Sequence, residues 1–200
     1  VQKLSPTRAL SAEQGALCAR VLQFCQNHVV AGHAVFVIKG DAGTGKSIVI
    51  NKIFNELQKL SREKSQPNAL SGTKNYLLVN HPEMMKLYRN IAEKSCYVKK
   101  KDYERPTSFI NAMHKTGQVA DIVLVDEAHL LLTKSDKYNR FVQDNHLEEI
   151  LKCARVVVIV FDDKQVLKFK SHWTEEDLES VLAQKHVQTF YLQNQFRMQA

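Results

Sequence analysis

Short β-branched, apolar runs alternate along the chain with longer stretches whose apolar positions recur every three or four residues. The runs fall at 35–39, 76–80, 122–126, 156–161 and 189–192, and three of them are almost wholly apolar. Such runs suit strands buried on both faces, as parallel sheets have and antiparallel sheets usually lack. The stretch 47–60 sets Ile50, Ile53, Phe54, Leu57 and Leu60 on one helical face. Further helices are expected at 11–27, 145–152 and 174–184, the last opened by Thr174 as an N-cap with acids in its first turn. Strands alternating with helices predict an α/β fold, a wound parallel sheet flanked by helices. Two stretches break the pattern. The polar segment 61–74, with Pro67 and Gly72, predicts a loop. The segment 93–106 interleaves Lys94, Lys99, Lys100, Lys101 and Arg105 with Tyr97 and Tyr103, and predicts a surface excursion.

Composition narrows this picture modestly. Two hundred residues suit a single domain, large enough for a core without disulfides or a structural metal. The longest apolar run, 156–161, is far short of the roughly 20 residues a membrane-spanning helix needs. Cys18, Cys25, Cys96 and Cys153 form no CxxC pair and have no histidine pair at zinc-finger spacing. Reduced thiols in a cytoplasmic protein are the expectation. The chain opens on Val without a signal-peptide pattern, which suggests an excised or processed fragment. The 28 basic and 21 acidic residues leave a net charge of +7, a modest bias that fits a polyanionic partner.

The first strand runs straight into Gly40-Asp41-Ala42-Gly43-Thr44-Gly45-Lys46-Ser47, a full GxxxxGK[ST] pattern. Glycines let the backbone turn tightly, so that successive N–H groups point inward at phosphates. The helix that follows presents its positive end to the same anion. Lys46 supplies a mobile charge for the β- and γ-phosphates of ATP, and Ser47 offers a hydroxyl to Mg²⁺. Downstream, the apolar strand at 122–125 ends in Asp126-Glu127-Ala128-His129. The carboxyl end of a buried strand is where such sheets bind ligands. Asp126 is expected to serve the Mg²⁺ shell, and Glu127 to orient or deprotonate the attacking water. Two acids opening a helix also favour its dipole without any catalytic role. His129 is either a coupling residue or a polar turn residue.

With these motifs in hand, the chain resembles the first motor domain of a superfamily 1 DNA/RNA helicase. The resemblance covers 10–197, and is nearest to an uncharacterised bacterial helicase-like family related to the helicase region of Schlafen proteins. It implies a P-loop NTPase with a RecA-like sheet, one RecA-like ATPase domain over 1–200, and a second motor domain outside this chain. Leu10-Ser11-Ala12-Glu13-Gln14 resembles the Q motif, which implies that Gln14 reads adenine. Ser11 and Gln14 also have capping-box spacing. Phe161-Asp162-Asp163-Lys164-Gln165 resembles Gly-Asp-x-x-Gln, with Phe161 in place of the glycine. The resemblance makes Gln165 a γ-phosphate sensor. Asn194-Gln195-Phe196-Arg197 resembles the motif whose arginine touches the γ-phosphate, where a guanidinium stabilises developing charge. A superfamily 2 enzyme would carry Ser-Ala-Thr after DEAH, and none is present.

The same resemblance implies single-stranded DNA or RNA as partner. Asn80 and His81 match the position of the family's first strand-contacting motif. Phe169 and Trp173, among Lys168, Lys170 and His172, are candidates for base stacking with lysines along the backbone. The expected activity is ATP hydrolysis by a helicase or translocase motor, weak in a fragment because ATP in such enzymes lies between two halves. The competing readings are a nucleotide-gated binding or signalling module and a phosphate-loop kinase.

Overall fold

The computed structural model describes residues 10–41, 45–128, 131, 146–162 and 175–193. Six helices and six strands are formed among them, in the order α1 (Ala12–His28), β1 (Ala34–Gly40), α2 (Lys46–Arg62), β2 (Asn75–Leu78), α3 (Pro82–Ala92), β3 (Tyr103–Glu104), α4 (Pro106–Thr116), β4 (Ala120–Val125), α5 (His146–Cys153), β5 (Ala154–Phe161), α6 (Glu175–Leu182) and β6 (His186–Leu192). The strands make one sheet in the order β3-β2-β4-β5-β1-β6. Every pairing is parallel.

Side chains alternate across a strand, so each apolar run feeds two cores. Phe36, Ile38, Leu77, Leu124, Val158 and Val160 face one side, under Leu17, Val21 and Phe24 of α1, Ile50, Ile53, Phe54 and Leu57 of α2, and Tyr88 of α3. Val35, Val37, Val123, Val125, Val157 and Ile159 face the other, under Phe109, Ile110 and Met113 of α4 and Leu147 and Ile150 of α5. The three-layer arrangement is the wound, helix-flanked parallel sheet that the alternation predicts.

The strand order places β5 between β1 and β4. Lys39 pairs with Phe161, and Val125 with Ile159, so the three carboxyl ends form one rim.

The main departure is at 93–106. This segment is built into the sheet, since β3 pairs with β2 through Leu77–Tyr103 and Leu78–Glu104. Tyr103 and Val98 are buried, and Asp102 is held by the Arg62 guanidinium through two bonds of 2.5 and 2.7 Å. The lysines face solvent as expected, together with Glu93, Cys96 and Arg105. A two-residue strand is too short to show periodicity, which is why composition dominates its appearance. The segment 61–74 is a loop beyond Arg62, where α2 ends. Leu70 anchors it in the core, and Gly72, at φ 74°, donates its N–H to Ser61 O.

Candidate nucleotide site

α2 opens at the rim directly after the phosphate loop. Gly40, Asp41, Gly45, Lys46 and Ser47 of that loop are described, while Ala42, Gly43 and Thr44 lie outside the described residues. Gly45 caps α2 in the left-handed region, at φ 78° and ψ 28°. A side chain there is strained for that reason alone. It would also push on the end of the Gln14 side chain, because a Cβ would lie 2.4 Å from Gln14 Nε2. Gln14 itself is buried and completes the capping box of α1. Its Oε1 accepts from Ser11 N at 3.0 Å, and Ser11 Oγ accepts from Gln14 N at 3.2 Å. The capping box and the approach to the loop therefore coexist, one through each end of the amide. Glu13 Oε1 accepts from Gln193 N, which ties the start of α1 to the chain leaving β6.

Lys46 folds back over the loop. Its Nζ donates to Gly40 O at 2.9 Å and to Asp41 O at 2.6 Å, and lies 3.8 Å from Asp162 Oδ2. Burial lowers its pKa, against the opposing charges of Asp162, Asp126 and Asp41. Asp162, directly after β5, is buried.

Asp126 follows β4 and is 6% exposed. Its Oδ1 accepts from Glu127 N at 2.9 Å, and its Oδ2 from the Tyr88 hydroxyl at 3.4 Å. Burial first, then the Glu127 charge, push its carboxyl up to about 6. Glu127 has φ 51°, a left-handed conformation that is costly for a residue with a Cβ. Such strain concentrates at functional sites. Asn80 and His81 sit just past β2, at the same end of the sheet. His81 occupies the N-cap position of α3 with an exposed side chain that makes no cap hydrogen bond. His129, Gln165, Phe169, Trp173 and Arg197 lie outside the described residues.

Among the described residues no cluster of three His, Cys, Asp or Glu side chains could hold a metal by itself. Mg²⁺ does not require one, since it binds through one or two carboxylates together with substrate phosphates and water. A buried acid reluctant to ionise, a second buried acid, a lysine and a glycine cradle that a Cβ would fill together suit a polyphosphate with a divalent cation. One residue in this arrangement stands outside the sequence-based assignments. Asp162 is the aspartate of the Gly-Asp-x-x-Gln resemblance, and the fold sets it beside Lys46. Tyr88 carries no signal beyond its place on a helix face.

Comparison with known proteins bears on the family and the fold. Residues 33–200 match the family model described as Schlafen group 3, DNA/RNA helicase domain. The chain is 45% identical over 206 residues to the uncharacterized protein YPL245W of Saccharomyces cerevisiae, covering 96% of this chain. It spans 45% of that relative's length. A crystal structure of a DNA replication initiation factor superposes with a TM-score of 0.52 at 14% identity, over 98% of this chain and 52% of the other. At that identity the likeness is one of fold.

Proposed function

The chain belongs to the Schlafen group 3 DNA/RNA helicase domain family, and from that premise we propose that it is the ATP-binding and ATP-hydrolysing motor domain of a superfamily 1-type DNA or RNA helicase or translocase. The observation that carries the reading is the meeting of Lys46, Asp126 and Asp162 on one rim, beside the glycine cradle at Gly45. In this reading the backbone of 40–47 and the Lys46 ammonium bind the ATP phosphates. Ser47 and Asp126 hold Mg²⁺, which when bound neutralises charge shared by the β- and γ-phosphates. Glu127 orients the attacking water and takes its proton. Gln14 contacts adenine through the amide end that faces the loop, Gln165 senses the γ-phosphate, and Arg197 stabilises charge on it.

Single-stranded DNA or RNA runs across the same end of the sheet, touching Asn80, His81, Phe169 and Trp173. A second RecA-like domain, elsewhere in the full-length protein, closes over the nucleotide. Cys18, Cys25, Cys96 and Cys153 are free thiols, which fits a reducing compartment such as the cytoplasm. No described helix is long and apolar enough to cross a membrane.

The test is ATP turnover by the full-length protein with and without single-stranded DNA and RNA. Stimulation by either supports the motor. Turnover indifferent to both would favour a nucleotide-gated binding or signalling module instead.

A further inference from the structure

The inward face of α3 carries Met85, Tyr88, Ile91 and Ala92, all buried. An apolar ring would fill the place of Tyr88 equally well. A phenol brings a hydroxyl into a dry interior, where it costs free energy unless it finds a partner. The partner is Asp126 Oδ2, at 3.4 Å. The distance is long, and the bond gains from the low dielectric of a fully buried setting. Burial and the Asp126 charge push the phenol well above its usual range, so the hydroxyl keeps its proton and donates.

The ring is fixed from behind. Tyr88 stacks on Tyr103 of β3, with centroids 5.4 Å apart and planes 17° from parallel. Tyr103 in turn meets Phe54 of α2 at 5.4 Å. Three elements thus hold three rings in a row, and only the ring nearest the rim offers its hydroxyl to an acid. The Tyr103 hydroxyl is buried without a hydrogen-bond partner. The stack is therefore not an arrangement that pairs phenols in general. The pairing belongs to Tyr88 and Asp126.

The consequence concerns the Asp126 carboxylate. One oxygen is held by the Glu127 N–H and the other by the Tyr88 hydroxyl. Two donors on two oxygens fix the plane of the group, while each oxygen keeps lone-pair capacity for a cation. Second-layer hydrogen bonds of this kind orient metal-binding carboxylates. We propose that Tyr88 is a positioning residue for the metal-binding acid: its hydroxyl sets the plane in which Asp126 receives Mg²⁺, braced by the Tyr88–Tyr103–Phe54 stack. This rests on the reading of Asp126 as the Mg²⁺ acid.

Tyr88→Phe in the full-length protein keeps the ring and removes only the hydroxyl. Mg²⁺ affinity is read by titrating the ADP-loaded protein with Mg²⁺, and nucleotide affinity alone in the presence of EDTA. The apparent Kd for Mg²⁺ should rise about 3- to 10-fold, the scale of one ordinary hydrogen bond, as suits its 3.4 Å length. Nucleotide affinity in EDTA should stay within about 2-fold of the parent. In an Asp126→Asn background the same substitution should add nothing further for Mg²⁺, because coupled residues are non-additive. Unchanged Mg²⁺ affinity in Tyr88→Phe would overturn the proposal, as would an equal loss of nucleotide affinity in EDTA. If Asp126→Asn alone leaves Mg²⁺ binding intact, the underlying assignment of Asp126 is what fails.

Discussion

Asp102 and Asp126 are the same residue type at nearly the same burial, 2% and 6% exposed, one just before the edge strand β3 and one just after the inner strand β4. Asp102 has everything a buried carboxylate requires. The Arg62 guanidinium grips both of its oxygens, and Lys99 N donates to Oδ2 at 2.8 Å. Asp126 has a backbone N–H and a distant phenol, and its own neighbour Glu127 repels it. The first is an internal brace that locks the β3 segment to the end of α2. The second is an acid whose charge the protein leaves undercompensated. A divalent cation would supply what is missing, which is the physical difference between a structural and a ligand-binding aspartate.

The contrast can be broken in four ways, from the largest expected effect downward. Glu127→Gln removes the proposed base beside Asp126 while keeping shape. ATP turnover should fall by about 10²- to 10⁴-fold with nucleotide binding retained, as read by steady-state hydrolysis alongside a binding titration. Near-parental turnover would remove Glu127 from the chemistry. Arg62→Ala strands Asp102 as a buried, unpaired charge and should cost about 3–5 kcal/mol in urea unfolding. A loss below about 1 kcal/mol would mean that Asp102 is not the satisfied member of the pair.

Asp126→Asn should act in the opposite sense on stability. The native carboxyl titrates near 6, against an ordinary value of 3.8. Between those pH values the folded state keeps a proton that the unfolded chain has released. Stability therefore falls as pH rises through the window, by up to about 3 kcal/mol above it. Without Mg²⁺ or nucleotide, Asp126→Asn should gain about 1–3 kcal/mol near pH 7, and the gain should fade toward pH 4. A destabilised variant at neutral pH would contradict the picture of an undercompensated acid. The smallest effect is expected for Gly45→Ala, whose left-handed φ alone costs about 1–2 kcal/mol. Thermal melting should register that loss. A neutral substitution would show that the cradle relaxes, and that strain is not confined to the rim.

The sheet was legible because its inner strands are buried on both faces and so read as nearly uninterrupted apolar runs. β5 is the clearest case, with seven of its eight residues buried. The helices α1, α2, α5 and α6 were legible from caps and apolar spacing. α3 and α4 were not foreseen, although each has proline in its first turn, a favoured helix start. Each is only 11 residues long, and α4 follows the lysine-rich segment that reads as a surface excursion. β3 is two residues long and carries no periodic signal of its own. At the candidate site, the residue types suited to holding phosphate announce themselves by spacing, as do the acids after β4. The contact from Tyr88 to Asp126 joins residues 38 positions apart on different elements. Only the fold brings them together.

The placement of β5 between β1 and β4 has one more implication. Neighbouring strands lie about 4.8 Å apart, so the phosphate loop and Asp126 spring from strands separated by roughly 10 Å. The sheet acts as a spacer gauge. It spaces the loop from the acid and sets Asp162, just after the middle strand, 3.8 Å from the Lys46 ammonium. The width of the opening is thus written in hydrogen-bonded backbone, the least deformable part of the molecule, and not in side chains that could rearrange.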